Sequence, residues 1–401
     1  MSNPINLISD WFRGLLLGWG LPETFTSIIM YAIGAVVICM AAMGVVIFLI
    51  WVERKIAGRI QDRFGPNRAG PFGLLQPFAD IIKIFSKEMI TPTGADPVPF
   101  NLAPVVAVAS VLLIWAVIPF AATVVGADIH VGVLYIIAVG SFGIVAILMA
   151  GWSSNNKFAL LGAARAVAQM VSYEVPMVLA LLIPVLLAGS MGVNSIVAAQ
   201  NVWFVVLAPI AALVFLITSM AEVGRAPFDL LEAESEIVAG FHIEYSGMKF
   251  GMFYVGEFLH VFTIGALIAT FFLGGWRGPG VEAVPILGFV YFYLKAFFGY
   301  FVITWIRLSL PRIRIDHMLA LSWKFLTPLI LVVLMVTAIL VKVLENANTW
   351  VFTLSLLAAN LIIGWGTVQV LKKVEQSKPP RQKFEGRPVA VATKPPASIN
   401  S

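Results

Sequence analysis

Residues 27–52 read SIIMYAIGAVVICMAAMGVVIFLIWV and contain no charged side chain. A run of this length can cross the hydrocarbon core of a membrane as an α-helix, which needs about 20 apolar residues. Inside lipid every backbone N–H and C=O must find a partner within the protein, and this requirement excludes open sheets. The stretch therefore predicts a transmembrane helix.

Comparable apolar runs recur along the rest of the 401-residue chain, which is 60% hydrophobic and only 12% charged. The mean hydropathy of +0.94 is typical of a protein that lies mostly within a membrane. We predict an all-α fold, a polytopic transmembrane helical bundle of about nine spans with structured cytoplasmic loops. The predicted spans cover residues 27–52, 98–121, 131–152, 166–190, 201–220, 249–273, 284–308, 323–345 and 350–372.

Composition divides the chain into three segments. Residues 1–24 are too short to span and lack the basic start and cleavage site of a signal peptide, so we predict an interfacial N-terminal segment. Residues 25–372 form the transmembrane domain, with structured cytoplasmic loops at 53–97 and 221–248. Residues 373–401 are rich in proline and basic side chains, which predicts a disordered basic cytoplasmic tail.

Basic residues predict the orientation of the spans. With the N-terminus outside, 22 of the 26 Lys and Arg residues fall on the cytoplasmic side. Cytoplasmic loops of membrane proteins carry such an excess of basic residues. The other four are Arg13, Arg277 and Lys342 outside and Lys295 within the seventh span. We therefore predict an external N-terminus and a cytoplasmic C-terminus.

The residue types that carry redox and metal chemistry are scarce. The single cysteine, Cys39, lies within the first predicted span, which excludes disulfides, iron–sulfur ligation and cysteine-rich zinc sites. The four histidines form neither an HExxH motif nor a close pair; they are His130, His242, His260 and His317. We predict no redox centre, metal site or catalytic residue in the chain itself. The net charge of +5 needs no nucleic acid as a partner.

Residues 221–257, AEVGRAPFDLLEAESEIVAGFHIEYSGMKFGMFYVGE, hold 7 of the 21 acidic residues. Carboxylates beside apolar spans are costly unless paired, protonated or hydrated, and such groups usually mark an ion or proton path. A solvated acidic loop is the alternative. Glu232 and Glu236 share a helical face, whereas Glu234 points away from both. The seven are Glu222, Asp229, Glu232, Glu234, Glu236, Glu244 and Glu257.

Two further charges lie inside predicted spans. Glu174 stands in SYEVP, where Pro176 cannot donate a backbone N–H and should kink the helix. The alternative for Glu174 is an acid paired with a polar neighbour in a structural role. Lys295 in the seventh span is either an intramembrane charge or a side chain that snorkels to the interface.

The first loop, residues 53–97, is longer than a connector requires. Gly65-Pro66-Asn67 and Gly70-Pro71 are turn signals, and residues 74–85 are amphipathic, so the loop is predicted to be structured. Its basic residues either anchor lipid headgroups or present a docking face for a soluble partner or the floor of a headgroup pocket.

Four motifs in these regions together resemble a known family. They are ERKIAGRIQDRFGPNRAGPFGLLQPFADIIKIFSKE at 53–88, SYEVP at 172–176, AEVGRAPFDLLEAESEIVAGFHIEYSGMKFG at 221–251 and WIRLSLPRIRIDHMLALSWKFLTP at 305–328. The chain is similar to the quinone-interacting membrane subunit of respiratory NADH:quinone oxidoreductase, the H subunit of complex I, over roughly residues 25–345. The ninth span suggests a bacterial form.

The resemblance implies roles for individual residues. Arg54, Phe250 and Arg307 would line a quinone tunnel, with quinone as the substrate. An acidic path would lead away from that tunnel, formed by Glu174, Glu222, Asp229, Glu232, Glu234, Glu236, Glu244 and Glu257. The sequence itself, rather than the resemblance, suggests Arg225, three residues after Glu222 and just before Pro227, as an ion-pair partner that keeps one carboxylate ionised.

The resemblance also implies partners and a location. NADH, FMN and iron–sulfur clusters would bind in other subunits of the complex, with nothing held covalently by this chain. Soluble quinone-site and iron–sulfur subunits would contact the cytoplasmic loops, while small membrane subunits and antiporter-like subunits would lie beside the spans, with membrane lipid around them. The expected location is the bacterial cytoplasmic membrane.

Three other classes of protein fit parts of the sequence. A secondary transporter should show an internal repeat with interrupted helices, and the acidic stretch has no counterpart elsewhere in the chain. A structural anchor would explain the large loops but not Glu174. The strongest alternative is the related membrane subunit of a membrane-bound hydrogenase or dehydrogenase.

Overall fold

The computed structural model describes residues 4–231, 236, 238–344 and 348–376. In this part of the chain the regular structure is helical, apart from a single β-bridge, so the predicted all-α fold is confirmed. The helices are α1 (Pro4–Gly18), α2 (Glu23–Ile60), α3 (Gln76–Ser86), α4 (Pro97–Trp115), α5 (Gly132–Ser153), α6 (Lys157–Ala188), α7 (Val193–Ala199), α8 (Phe204–Leu207), α9 (Pro209–Val223), α10 (Gly247–Phe272), α11 (Ile286–Ser309), α12 (Ile315–Leu321), α13 (Thr327–Val343) and α14 (Thr349–Gln376). Short turns of 3₁₀-helix at Pro71–Gly73 and Gly240–His242 and of π-helix at Ser322–Leu326 complete the set.

Eight helical segments within the described residues are long and apolar enough to cross a membrane, with α12, the π-turn and α13 forming one of them. They correspond to eight of the nine predicted spans. The predicted span at 201–220 differs, because Ala208 leaves helical geometry (φ −136°, ψ 65°) before Pro209 and separates α8 from α9. At 1.5 Å per residue, the 15 residues of α9 rise about 22 Å, which is less than the hydrocarbon thickness of about 30 Å. Glu222 consequently lies in the last turn of a short helix.

Helix α10 lies at the centre of the bundle. It packs against α2, α4, α9 and α11, and 78% of its most apolar window is buried, a larger share than in any other span of the described chain. Close packing with α11 depends on two glycines, since a Cβ on Gly265 would lie 2.6 Å from the carbonyl oxygen of Ala296, and one on Gly299 would lie 2.9 Å from the Cα of Gly265. Small residues of this kind let transmembrane helices approach closely. Polar side chains on α10 therefore face protein rather than lipid.

Helix α6 runs without interruption through Pro176. A proline removes the N–H that would bind the carbonyl four residues earlier, here that of Ser172. The hydroxyl of Ser322 donates to that carbonyl at 2.6 Å. The π-helical turn that carries Ser322 thus replaces a hydrogen bond that α6 cannot make for itself.

The same arrangement occurs in α4, which contains Pro104. The carbonyl of Phe100 loses its donor to this proline, and the hydroxyl of Tyr245 donates to it at 3.1 Å. The Tyr245 and Phe100 rings also stack, with centroids 4.2 Å apart. Tyr245 thereby fixes the end of the 221–248 loop against a membrane helix.

The predicted structured loop after the first span is helical in part, with a 3₁₀ turn and α3. It folds back on the end of α2, where a Cβ on Gly58 would lie 2.7 Å from the backbone nitrogen of Gly65. The predicted interfacial segment contains α1. Residues 373–376, the first four of the predicted disordered tail, are instead helical and belong to α14, and the rest of the tail lies outside the described residues.

Two compact units divide the chain after Asn360. The first contains the site described below. The second begins within α14 and is described only as far as Gln376.

Candidate functional site

A cavity opens among α4, α5, α6, α10 and the segment around the 3₁₀ turn at Gly240–His242. Its lining is mostly apolar with a few convergent polar groups, which is the character of small-molecule sites. The apolar wall includes the rings of Phe241, Phe250, Phe253 and Tyr254. The titratable side chains that line it are Glu222, His242, Glu257 and His260, together with the phenol of Tyr254.

Aromatic contacts hold one side of this cavity together. The ring of Phe241 packs edge to face on Phe253, with centroids 5.3 Å apart, and His242 lies 5.3 Å from Phe250. Burial lowers the pKa of His242 to about 4, so its imidazole is neutral at physiological pH. A neutral imidazole has one nitrogen that donates and one that accepts a hydrogen bond.

A second, smaller cavity adjoins the first. The two share four lining residues, Ile114, Gly140, Glu222 and His260. The Glu222 carboxylate faces α5, since a Cβ on Gly140 would lie 3.6 Å from its Oε1 atom. Glu222 and His260 are thus the titratable side chains at the junction, among the described residues.

Arg225 connects the first cavity to an ion-pair network. Its guanidinium is buried (5% exposed), and its Nε lies 2.7 Å from Oε1 of Glu257. Its Nη1 lies 3.9 Å from Oε1 of Glu53, and its Cζ lies 5.0 Å from the centroid of the Phe258 ring. Helix α9 ends at Val223, so Arg225 lies beyond it and reaches carboxylates on α2 and α10.

Glu53 is the second carboxylate of this network. It pairs with Nη1 of Arg307 and accepts a hydrogen bond of 3.1 Å from the hydroxyl of Tyr300. Tyr254, on the cavity wall, is within electrostatic range of Glu53, Arg225 and Glu257. The charged network therefore adjoins the cavity on the side of Tyr254 and Glu257.

Glu174 accepts a hydrogen bond of 2.8 Å from the hydroxyl of Ser141. It is also within electrostatic range of Glu222. The structure thus brings both a polar neighbour and a second carboxylate to Glu174. Closely spaced acids of this kind titrate as a coupled set.

The acids of the 221–248 loop have other partners. Glu236 pairs with Arg165 at 2.6 Å and with Arg312 at 2.9 Å. The Arg165 hydrogen bond, with Arg312 adding to it, lowers the pKa of Glu236 and keeps it ionised. The carboxylate of Glu244 accepts a 2.6 Å hydrogen bond from Asn156.

The predicted path includes three further acids, Asp229, Glu232 and Glu234. Asp229 is half-buried. Glu232 and Glu234 lie outside the described residues, so the predicted separation of their helical faces is not tested. The structure thus brings Glu222 and Glu257 to the cavity walls, keeps Glu174 within electrostatic range of Glu222, and places Glu236 and Glu244 in contacts of the loop.

The three residues expected at a tunnel occupy different places. Phe250 lines the larger cavity. Arg54 pairs with Asp80 at 2.6 Å, where the first loop folds against α2. Arg307 pairs with Glu53. The two arginines thus lie in the charged region beside the cavity, outside its described lining.

Lys295 lies in the first half of α11, beside the loop that follows α10 and away from Arg307 near the end of α11. Its Nζ donates to the carbonyls of Gly275 and Arg277, at 2.9 and 2.7 Å, and lies 5.4 Å from the centroid of the Trp203 ring. These contacts satisfy the ammonium group within the protein. They favour a structural role for Lys295 over that of an intramembrane charge that binds a substrate.

The sequence patterns did not identify four residues of this region, namely Glu53, His242, Tyr254 and His260. In the sequence Glu53 marks only the start of a loop, and its partner Arg307 is 254 residues away. One signal could have identified His260. It follows Glu257 by three residues, and this spacing places two titratable side chains on one helical face.

Comparison with known proteins agrees with this architecture. The model of a family described as NADH dehydrogenase matches residues 33–338. The H subunit of NADH-quinone oxidoreductase from Dehalococcoides mccartyi strain CBDB1 is 50% identical over 328 residues, covering 82% of this chain and 90% of the relative. An H subunit of the same enzyme from Geobacter sulfurreducens is 48% identical over 300 residues, covering 72% of this chain and 90% of the relative. One from Syntrophobacter fumaroxidans is 47% identical over 300 residues, covering 72% and 89%. The chain is therefore a multi-pass membrane protein that belongs to the family of NADH-quinone oxidoreductase H subunits.

Proposed function

We propose that this chain binds quinone in the larger cavity and that the adjoining carboxylates carry protons coupled to quinone reduction. The observation that carries the proposal is the cavity itself, since one space combines an aromatic wall with Glu222, Glu257 and two histidines. A quinone is a flat ring with two carbonyl oxygens and an apolar tail. Its ring and tail match the aromatic wall, and its oxygens match donors such as the neutral imidazole of His242.

The tunnel in this proposal runs past Phe250 and is bordered by Arg54 and Arg307. Phe250 is on the cavity wall, and its 36% exposure leaves part of its ring available for contact with a ligand. The two arginines supply positive charge near the mouth, each already held by a carboxylate. Tyr254 lies between this charge and the cavity, within electrostatic range of Arg54.

Reduction of one quinone to quinol takes up two electrons and two protons. Negative charge would develop in a low-dielectric cavity, where a charge strongly affects neighbouring carboxylates. Glu257, Glu222 and Glu174 are the acids best placed to respond. The remaining acids form the cytoplasmic part of the path in this proposal, namely Asp229, Glu232, Glu234, Glu236 and Glu244. Arg225 is the ion-pair partner of Glu257.

In this proposal the electrons come from partner subunits that contain the NADH site, FMN and iron–sulfur clusters. The soluble quinone-site and iron–sulfur subunits dock on the loops at 53–97 and 221–248. Small membrane subunits and antiporter-like subunits lie beside the spans, where shifts of protons in the acidic set reach them. Exposed aliphatic and aromatic side chains along the long helices provide surfaces for these subunits and for lipid.

The proposed orientation places the N-terminus outside and the C-terminus in the cytoplasm. Polar contacts group the loops into the same two sets as the basic residues do. Arg165, Glu236 and Arg312 join three segments assigned to the cytoplasm, while Arg277 joins two segments assigned to the outside by donating to the Ala198 carbonyl at 2.7 Å.

Cysteine labelling tests this orientation. A cysteine at Arg68 or Lys383 should react with a membrane-impermeant reagent only from the cytoplasm, and one at Asp128 only from outside. Inverted and right-side-out vesicles give the two accessibilities. Cys39 should be replaced first, and the cysteine-free chain serves as the background. Labelling of position 68 from outside would show that the chain has the opposite orientation to the one proposed.

Quinone binding is tested with Phe250→Ala in the assembled complex. Loss of one aromatic contact of about 1–1.5 kcal/mol should raise the KM for quinone about tenfold. Oxidation of NADH by a hydrophilic artificial acceptor should be unchanged, because that acceptor takes electrons before they reach this chain. Arg54→Ala and Arg307→Ala should lower quinone reduction in the same assay.

Phe142→Ala is the matched control, because Phe142 lies on α5 with 53% exposure and does not line the cavity. Its KM for quinone should match that of the unmodified complex. An equal loss of both activities in fully assembled Phe250→Ala complex, or an unchanged KM, would remove Phe250 from the quinone site.

A further inference from the structure

We propose that His260 is a proton-relay residue that transfers protons between Glu257 in the larger cavity and Glu222 at its junction with the smaller one. This inference rests on the proposed function and adds a residue that is not a carboxylate to the acidic path. His260 lies between the third motif of the family resemblance, which ends at residue 251, and the fourth, which begins at 305, so none of the four motifs includes it.

The position of His260 along α10 places it beside Glu257. It follows Glu257 by three residues, so the two side chains share a face of the helix. Both line the larger cavity. A proton that reaches Glu257 has an imidazole one helical turn away, in the direction that leads from the Arg225 network into the bundle.

His260 also lines both cavities. Among the described residues, Glu222 is the only other titratable side chain that lines both cavities. The neighbours at the junction are Ile114 and Gly140, which cannot exchange protons. A proton that moves between the two spaces through side chains therefore passes Glu222 or His260.

Other titratable groups surround the cavities that His260 lines. They are Glu222, Glu257, His242 and Tyr254 on the walls of the larger cavity, and Glu222 again on the wall of the smaller one. His260 is therefore in contact with a space that holds both its proposed proton donor and its proposed acceptor.

The chemistry of imidazole allows the transfer itself. One nitrogen can accept a proton while the other donates one, so a histidine can pass a proton without rotating away. Glu222 is within electrostatic range of Glu174, which gives the relay its next acceptor. The proposed order is Glu257, His260, Glu222, Glu174.

Two substitutions of nearly equal shape distinguish a relay from a structural role. His260→Gln keeps a side chain that can form hydrogen bonds but cannot exchange a proton, whereas His260→Glu can exchange one. In assembled complex, His260→Gln should lower quinone reduction and proton translocation about tenfold or more, since positioned proton transfer contributes roughly 10²–10⁴-fold. His260→Glu should retain clearly more of both activities, and NADH oxidation by a hydrophilic acceptor should be unchanged in each variant.

His317→Gln is the control, because His317 is exposed on α12 and lines neither cavity. Equal activity of His260→Gln and His260→Glu, whether high or low, would overturn the relay. If the His260→Gln complex is normal while the Glu222→Gln complex is defective, His260 takes no part in proton transfer and the acids still do. If His260→Gln and Glu222→Gln both show normal rates, the acidic path does not carry the protons.

Discussion

Glu222→Gln should lower the rates of quinone reduction and of proton translocation together, by about 100-fold, in a complex of normal subunit content. Glutamine keeps the size and much of the hydrogen bonding of glutamate but cannot give up a proton. Glu222 lines both cavities and is within electrostatic range of Glu174, so it has no substitute at the described junction other than His260. A positioned proton donor or acceptor contributes roughly 10²–10⁴-fold.

Both activities should fall by the same factor, because electron transfer and proton movement are coupled in the proposed function. They are measured in vesicles as quinone reduced per second and as protons moved per second, so the ratio of protons to quinone should stay constant. Glu174→Gln should show the same pattern, since its carboxylate belongs to the same coupled set. Glu282→Gln is the control, because Glu282 is exposed on the loop before α11.

Retained wild-type rates and proton yield in assembled Glu222→Gln complex would leave Glu222 as a structural acid. A loss of proton translocation alone, with normal quinone reduction, would separate the acids from the quinone step. The hydrophilic-acceptor assay checks that electron entry is intact in every variant.

The positions of the spans could be predicted from sequence because hydrocarbon thickness sets a minimum length for an apolar helix. The break before Pro209 was missed, because the prediction for the run at 201–220 rested on hydropathy, although a proline within an apolar run is itself a signal of interruption. The backbone of Ala208 shows where the helix is interrupted. Hydropathy averages over a window and does not register one residue that leaves helical geometry.

The carboxylate cluster could be predicted in outline from the density of acids at 221–257. Its partners could not, because they are set by contacts distant in sequence. Arg225 follows Glu222 by three residues, a spacing that favours a contact only within a helix. Gly224 adopts a left-handed φ of +72° and ends α9, so Arg225 turns toward Glu53 and Glu257.

The donors to the carbonyls left unpaired by Pro104 and Pro176 were equally invisible in the sequence. The prolines predict carbonyls without donors. Which hydroxyls compensate depends on how helices from distant parts of the chain pack, and Tyr245 and Ser322 are identified only by the structure.

Arg225→Met should produce the largest loss of stability among substitutions in the charged network. Methionine fills a similar volume, but it removes the arginine that lies 2.7 Å from Glu257. It also removes the contact of 3.9 Å between Arg225 and Glu53. Removal of one member of a buried ion pair costs about 3–5 kcal/mol, because the remaining charge stays desolvated. We expect a lower apparent melting temperature of the solubilised complex and less assembled subunit.

The double variant Arg225→Met with Glu257→Gln tests the cause of this loss. It removes the uncompensated charge, so it should regain a large part of the melting temperature, while Glu53 keeps its pair with Arg307. Arg13→Met is the matched control, because the Arg13 and Glu23 side chains are 49% and 78% exposed and such surface pairs contribute about 0–1 kcal/mol. If the double variant melts no higher than Arg225→Met alone, unpaired charge is not the cause, and the contact of Arg225 with Phe258 and its packing would account for the loss instead.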